Sequence, residues 1–250
     1  MKNLLLSTIT GNAPSTPFLD VNVDTLLLAG LSMTLILAFG GTVARGMVAE
    51  GAGGPAQFVV EGLYNFADDL AHQNIGHQYK KFFPLIASIF IFVLISNFLG
   101  VFPSKALEQG AQAVGMHWPH IMVNGEPEAW EWKSPTTDFN VTFGLALVAL
   151  FTYIGSGFWK HGGHFFKIYL FSPMSWVEWL DTIIRPATLA IRLMVVITAD
   201  ELLRAAFLII CPILLPVGVM GFELFIGGIQ ALVFALLTSV YIGLTIQEHH

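Results

Sequence analysis

Residues 188–196 read Thr-Leu-Ala-Ile-Arg-Leu-Met-Val-Val, an apolar run that is interrupted by one arginine, Arg192. A guanidinium stays protonated at any accessible pH, and no neighbour in this run can solvate it. An ionisable side chain at membrane depth is by default a functional residue that faces a cavity, a counter-ion or a transport path. Further polar side chains follow in the adjoining apolar segments and, with Arg192, predict a path for ions: Asp200, Glu201, Glu223 and Gln230.

The composition around this stretch is that of an integral membrane protein. Hydrophobic residues make up 55% of the 250 residues, charged residues only 11%, and the mean hydropathy is +0.70. A soluble domain normally carries about 25% charged residues. The pI of about 5.7 and the lack of basic runs argue against nucleic acid as a partner. The one cysteine, Cys211, allows neither a disulfide within the chain nor a thiolate metal cluster.

Apolar segments that are long enough to cross a bilayer predict an all-α integral membrane protein. About 20 apolar residues cross a hydrocarbon core, and three segments of this kind predict ordinary transmembrane helices at 25–44, 82–102 and 139–159. Two longer apolar helices are predicted at 176–210 and 217–247. Helices of that length exceed the bilayer thickness unless they tilt, so we expect a steeply tilted hairpin at the carboxyl-terminal end.

The segments between the spans predict a surface helix and an external loop. Over 55–80, apolar residues such as Val59 and Leu63 recur at helical spacing opposite acidic residues, which indicates an amphipathic helix on the membrane surface. The stretch 104–137 is polar and contains three tryptophans, so we expect an aqueous loop. The bias of basic residues places this loop and the amino terminus outside. Because no repeat or boundary interrupts the pattern, residues 1–250 are expected to form a single membrane domain.

Five short motifs follow one another along the chain, and their order carries more information than any one of them. They are Gly54-Pro55; Ser96-Asn97-Phe98-Leu99-Gly100-Val101-Phe102-Pro103; Asp138-Phe139-Asn140-Val141-Thr142; Arg185-Pro186 before Ile191-Arg192-Leu193; and Ile229-Gln230-Ala231 with Thr238-Ser239-Val240-Tyr241. With these motifs the chain resembles the a subunit of the F-type ATP synthase membrane sector, from about residue 54 to residue 248.

The resemblance implies a stator subunit whose two offset aqueous half-channels carry protons to and from a rotating ring of c subunits. Arg192 matches the family's essential arginine, which faces the ionised ring carboxylate and blocks a direct leak. Glu201, Glu223 and Gln230 match half-channel positions. The implied partners are the c-subunit ring, the peripheral-stalk b subunits, the catalytic head and membrane lipid. The subunit itself is expected to be non-catalytic, without cofactor or metal, in an energy-transducing membrane such as the bacterial inner membrane.

Two positions depart from the family's usual pattern. Val196 stands where the family has Asn one turn after the arginine, and Asp200 stands where a small residue commonly precedes the glutamate. Adjacent acids in a low dielectric rarely ionise together, so their proton affinities couple. We therefore expect Asp200 to share a proton with Glu201 or Glu223.

Other interpretations stay open from the residues alone. Arg192 could form a structural salt bridge with Asp200 or Glu223, because intramembrane charges often pair. Arg185 is expected at the membrane interface near headgroups. A secondary ion transporter and a membrane redox subunit are the alternative function classes, although the sequence shows neither inverted repeats nor histidines deep in the apolar spans. Both a proton and a sodium ion remain open as the transported ion, because the resemblance implies that the ion-binding carboxylate belongs to the ring.

Overall fold

The chain is predominantly helical. The computed structural model describes residues 23–47, 54–101, 120–123, 126–129, 134–161, 175–210 and 214–247 of the sequence. Short 3-10 turns lie at Gly76–Gln78 and Pro135–Thr137. The helices, in chain order, are α1 (Val23–Gly46), α2 (Pro55–Ile75), α3 (Tyr79–Val101), α4 (Phe139–His161), α5 (Ser175–Ile210) and α6 (Leu214–Gln247).

Four segments of this helical structure are long and apolar enough to cross a membrane. They are Leu26–Gly46, Pro55–Val101, Phe139–Trp159 and Gly218–Ile246. The predicted helical membrane-protein class is therefore confirmed. Helices α5 and α6 contain 36 and 34 residues, which at 1.5 Å per residue makes each about 50 Å long. A hydrocarbon core is only about 30 Å thick, so both helices exceed it.

Helices α2 and α3 follow one another across the short 3-10 turn Gly76–Gln78. Helix α2 starts with Pro55 after Gly54, the position where a missing N–H costs nothing. It ends because Gly76 adopts a φ of 75°, and its N–H donates to the carbonyl oxygen of His72. Ring contacts then join the two helices, with centroids 4.8 Å apart for Tyr64 and Phe83. The ring contact holds α2, which has exposed apolar residues, against α3.

The predicted external loop also contains strands that the sequence did not predict. Strands β1 (His120–Val123) and β2 (Glu126–Ala129) pair in antiparallel fashion, with His120 opposite Ala129 and Val123 opposite Glu126. Each strand has only four residues, and β2 contains a proline, which is tolerated at a sheet edge. Such short segments give too little alternation for a strand to be recognised from sequence.

The chain divides into two compact units, and helices α1, α3, α4, α5 and α6 contribute a segment to each. The first unit comprises Met1–Thr34, Val93–Thr142 and Leu193–Gln230, and the second comprises Leu35–Phe92, Phe143–Arg192 and Ala231–His250. The core of the first unit includes the buried side chains of Val93 and Leu193. The core of the second includes Ile86, Phe234 and Ile242.

Polar contacts also join helices inside the second unit. The side-chain amide of Asn74, near the end of α2, donates to Ser239 Oγ on α6 over 3.0 Å. The ammonium of Lys81 on α3 lies 3.7 Å from the ring centroid of Trp159 on α4. A cation over an indole face is a favourable contact, and it is stronger away from water. These contacts tie α2 to α6 and α3 to α4.

Candidate functional site

A cavity in the first unit brings two acidic side chains together. Asp200 on α5 and Glu223 on α6 are 9% and 4% exposed. Both line one small cavity with a volume of about 20 Å³. The remaining lining residues are Asn97, Gly100, Val101, Ser134 and Ile197. Two carboxyl groups from different helices therefore share one polar space.

Helical periodicity explains why both acids point inward. On α5, Leu193 and Ile197 are buried at 0% and 7% exposure, and Asp200 continues this face three residues later. On α6, Met220 and Glu223 are likewise spaced by three, at 8% and 4% exposure. The acids occupy positions at which a core-facing apolar side chain is normally found. Burial of a carboxyl group in such a position favours its neutral form unless a partner stabilises the charge.

A hydrogen-bonded network forms one wall of this cavity. Asn97 donates from Nδ2 to the carbonyl oxygen of Gly227 over 3.0 Å. Its Oδ1 accepts a 2.6 Å hydrogen bond from Thr136 Oγ1. Ser134 donates from Oγ to the carbonyl oxygen of Ser96 over 3.0 Å, and the same Oγ lies 2.6 Å from Thr136 Oγ1. The network fixes the segment before α4 against α3 and α6.

Asp138 fixes the start of α4 beside this network. Its Oδ1 accepts the N–H of Asn140 over 2.9 Å, and its backbone is extended, as expected of an N-cap residue. The Thr142 hydroxyl group donates back to the carbonyl oxygen of Phe139 over 3.1 Å. The motif Asp138-Phe139-Asn140-Val141-Thr142 therefore has a local structural reason, because it caps and begins a helix.

Gly100 permits the close approach of α3 to the segment before α4. A Cβ atom at Gly100 would lie 2.5 Å from Ser134 Cβ and 2.7 Å from Ser134 Cα. Real Cβ atoms do not come so close to backbone atoms, so any larger residue displaces Ser134. Displacement would also disturb the hydrogen bond from Ser134 to Ser96.

We expect Gly100→Ala to destabilise the protein by about 1–3 kcal/mol, the usual cost of overpacking a well-packed site. Thermal unfolding in mild detergent would measure the change. Gly62→Ala on α2 is the matched control, since no atom lies within 4 Å of its added Cβ. That control should be neutral, or more stable by about 0.5–1 kcal/mol. Equal stability of the two variants would contradict the close packing at Gly100.

Arg192 does not line this cavity. It lies on α5 in the second unit and is exposed at the surface of the chain. Its neighbours on that face are also exposed, with Ile191 at 53% and Val195 at 54%. Leu189 and Leu193 lie about 60° and 100° from Arg192 around the helix, on the side away from Val195, and are buried at 2% and 0% exposure. Among the described side chains, none forms an ion pair with Arg192, so the salt bridge that the sequence left open to Asp200 or Glu223 is not present.

The two other predicted site residues are placed differently. Gln230 on α6 is buried at 6% exposure within the first unit. Glu201 falls on α5, but its side chain lies outside the described residues. The structure thus brings Asp200 and Glu223 to one cavity, buries Gln230 and exposes Arg192.

The sequence did not identify two buried hydroxyl groups, one that lines the cavity and one that is hydrogen-bonded to the first. Ser134 and Thr136 are 2% and 0% exposed, although they belong to a stretch that reads as a polar loop. Their only signal is position, since they immediately precede Asp138 at the start of a spanning helix. Polar residues next to a membrane span resemble ordinary solvent-exposed loop residues until packing shows that they are buried.

This arrangement has the chemical parts that proton movement needs. Buried carboxyl groups can take up and release protons, and their affinities respond to each other at short range. Hydroxyl and amide groups on the cavity wall can bind water. A guanidinium on an exposed apolar face, by contrast, keeps its charge and cannot act as a relay.

Comparisons with known proteins identify the family of this chain. The family model described as ATP synthase A chain matches residues 26–243. ATP synthase subunit a of Gloeobacter violaceus is 37% identical over 235 residues, which cover 92% of this chain and 87% of the relative. The chloroplastic ATP synthase subunit a of Stigeoclonium helveticum is 36% identical over 202 residues, covering 76% and 74%. The chain therefore belongs to the ATP synthase A chain family.

Proposed function

We propose that this chain is the stator subunit of an ATP synthase membrane sector, and that it carries protons to and from a rotating ring through two half-channels. Membership of the ATP synthase A chain family supports this function over a secondary transporter or a redox subunit. The subunit is a multi-pass protein of an energy-transducing membrane. Its role is to conduct protons, and nucleotide chemistry belongs to the catalytic head of the complex.

The exposure of Arg192 is the observation that carries the proposal. A charge on an exposed, otherwise apolar face would be costly in contact with lipid. It is favourable if a partner presents an anionic group to that face. A rotor carboxylate at mid-membrane is such a group, and Arg192 would hold it in its ionised form. Because arginine does not deprotonate, it also prevents protons from passing directly between the half-channels.

The cavity of Asp200 and Glu223 supports the second part of the proposal, a half-channel inside the chain. Its two acids can exchange protons with water, and Asn97 and Ser134 supply polar wall atoms. We assign Gln230 and Glu201 to the same proton path, as their match to family positions implies. Asp200 shares its proton with Glu223 in this scheme, since both line one cavity.

The membrane potential supplies the driving force for this cycle. Moving one elementary charge across 100 mV is worth about 2.3 kcal/mol. Several protons per synthesised nucleotide can therefore turn a rotor against the load of ATP synthesis. Arg192 couples this rotation to proton transfer, because each rotor carboxylate must be deprotonated to pass it and protonated to enter lipid.

The proposed assembly follows from the same role. Helices α5 and α6 form a steeply tilted hairpin against the c-subunit ring, which reconciles their length with the bilayer. Helix α2 lies along the membrane surface, where its exposed Phe58 and Val59 contact lipid. Peripheral-stalk b subunits hold the chain fixed relative to the catalytic head. The membrane is the bacterial inner membrane in this proposal.

Cysteine crosslinking tests whether the face of Arg192 meets a rotor. In a Cys211→Ser background, Val195→Cys should form a disulfide with a cysteine introduced beside the ring carboxylate, in the intact membrane-embedded complex. Leu37→Cys on α1 is the control, since Leu37 is more exposed at 70% but lies on another helix. Crosslinking at Leu37 and none at Val195 would reject this face as the rotor contact.

A further inference from the structure

A second arginine of α5, Arg185, lies among aromatic rings inside the second unit. Its guanidinium carbon is 4.9 Å from the ring centroid of Tyr241 on α6. It is 5.6 Å from the ring centroid of Tyr153 on α4. The sequence predicted a headgroup contact at the interface for Arg185. The structure gives this cation two aromatic partners from two different helices.

These distances are within the range of cation–π attraction, for which a cation lies within about 6 Å of a ring centroid. The attraction grows when the groups are removed from water, and Arg185 is half-buried while Tyr153 is buried. A planar guanidinium can stack on an aromatic face in a way that an ammonium cannot. The three side chains therefore form a clamp, Arg185 with Tyr153 and Tyr241, that holds α5 against α4 and α6.

The clamp lies on nearly the same side of α5 as Arg192. Arg185 precedes Arg192 by seven positions, which is nearly two helical turns and leaves the two Cα–Cβ directions about 20° apart. Both residues belong to the second unit. Leu189 and Ala190, between them, are buried at 2% and 0% exposure. A rotation of α5 at Arg185 would therefore turn Arg192 by the same angle, because a packed helix transmits rotation along its length.

We propose that Arg185 is a positioning residue that sets the rotation of α5 and so keeps Arg192 on the exposed face. This inference rests on the proposed function, because the direction of Arg192 matters only if a rotor carboxylate meets it. Arg185 acts through the rings of Tyr153 and Tyr241, and it needs no contact with the transported proton. Loss of a ring should therefore free the helix, whereas loss of the tyrosine hydroxyl group alone should not.

Tyrosine variants separate ring from hydroxyl group. Tyr241→Phe keeps the aromatic face, while Tyr241→Leu removes it and keeps an apolar side chain. The reporter is Ala190→Cys in a Cys211→Ser background, within the assembled complex. A second small cavity lies beside Arg185 and is lined by Tyr153 and Tyr241, among others, but not by Ala190. Because Ala190 is fully buried outside that cavity, enlarging the cavity by removing a ring does not by itself expose Ala190. Its reaction with a small membrane-permeant maleimide reports rotation of α5.

We expect the labelling rate at position 190 to rise roughly fivefold in Tyr241→Leu. That rise corresponds to a change of about 1 kcal/mol in the free energy of the rotated helix relative to the packed helix. Arg185→Leu should give a similar rise, and Arg185→Lys a smaller one. Tyr241→Phe should label as slowly as the parent. Equal labelling of Tyr241→Phe and Tyr241→Leu would overturn the clamp.

Passive proton permeability distinguishes positioning from simple packing. Vesicles that hold the membrane sector without its catalytic head should leak protons faster with Tyr241→Leu, but not with Tyr241→Phe, at equal yield of assembled complex. Faster labelling without any added leak would overturn the link to Arg192. If Arg192→Ala itself proved fully coupled, the proposed function would fail, while the labelling result would still decide whether the clamp holds α5.

Discussion

Arg192→Ala is expected to abolish proton-driven ATP synthesis while the complex still assembles. Alanine removes the exposed charge of Arg192 from α5, so the rotor carboxylate loses the group that holds it ionised. Assembly should survive because the side chain of Arg192 is exposed, whereas α5 packs through its buried residues such as Leu189 and Leu193. Synthesis in vesicles with an imposed proton gradient would measure the loss, with the yield of detergent-solubilised complex measured in parallel.

Arg45→Ala is the matched control for this prediction. Arg45 is also an exposed arginine, in the last turn of α1, and is not assigned to the proton path. Its replacement should leave synthesis unchanged. Coupled synthesis at the parent rate in Arg192→Ala would contradict the stator assignment, whereas loss of assembled complex would show that Arg192 is structural.

The cavity acids should behave as a coupled pair. We expect Asp200→Asn and Glu223→Gln each to slow proton flux about tenfold, which corresponds to about 1.4 kcal/mol on the barrier. Groups that share one site do not act independently. The double variant should therefore conduct protons more slowly than either single variant. Its loss should nevertheless be smaller than the roughly hundredfold loss that two independent sites would give. The proton flux of all three variants would be measured as proton uptake, driven by a potassium diffusion potential, into vesicles that hold the membrane sector without its catalytic head.

Asp69→Asn supplies the control for charge removal, since Asp69 is exposed on α2 and does not line the cavity. It should leave proton flux unchanged. Strictly multiplicative losses in the double variant would show that Asp200 and Glu223 titrate separately. Unchanged flux in all three variants, with normal assembly, would remove the cavity from the proton path.

The individual residues show how far sequence alone reaches. The class of the protein followed from apolar length, because a run of about 20 apolar residues has few uses outside a membrane. Arg192 was identified because its charge contrasts with its immediate neighbours, and that contrast is visible within one helical turn. The family was recognised from ordered motifs, and the match over residues 26–243 confirms it.

The ring partners of Arg185 show what sequence reasoning could not supply. The sequence predicted only a position at the membrane interface for Arg185, whereas its partners Tyr153 and Tyr241 come from two other helices. Nothing local to residue 185 specifies which rings will surround it. The same limit explains the hydroxyl groups of Ser134 and Thr136, which look like loop residues and are buried.

By itself, the sequence determined a helical membrane protein of the ATP synthase A chain family with one conspicuous arginine in an apolar run. These are properties of hydropathy, periodicity and motif order, which act over a few helical turns. Only the tertiary structure decided that Asp200 and Glu223 share a cavity, and that Asn97 bonds to Gly227, 130 positions away. Such pairings depend on how separate helices pack, because a hydrogen bond or ring contact needs its partners within a few ångströms regardless of their distance along the chain.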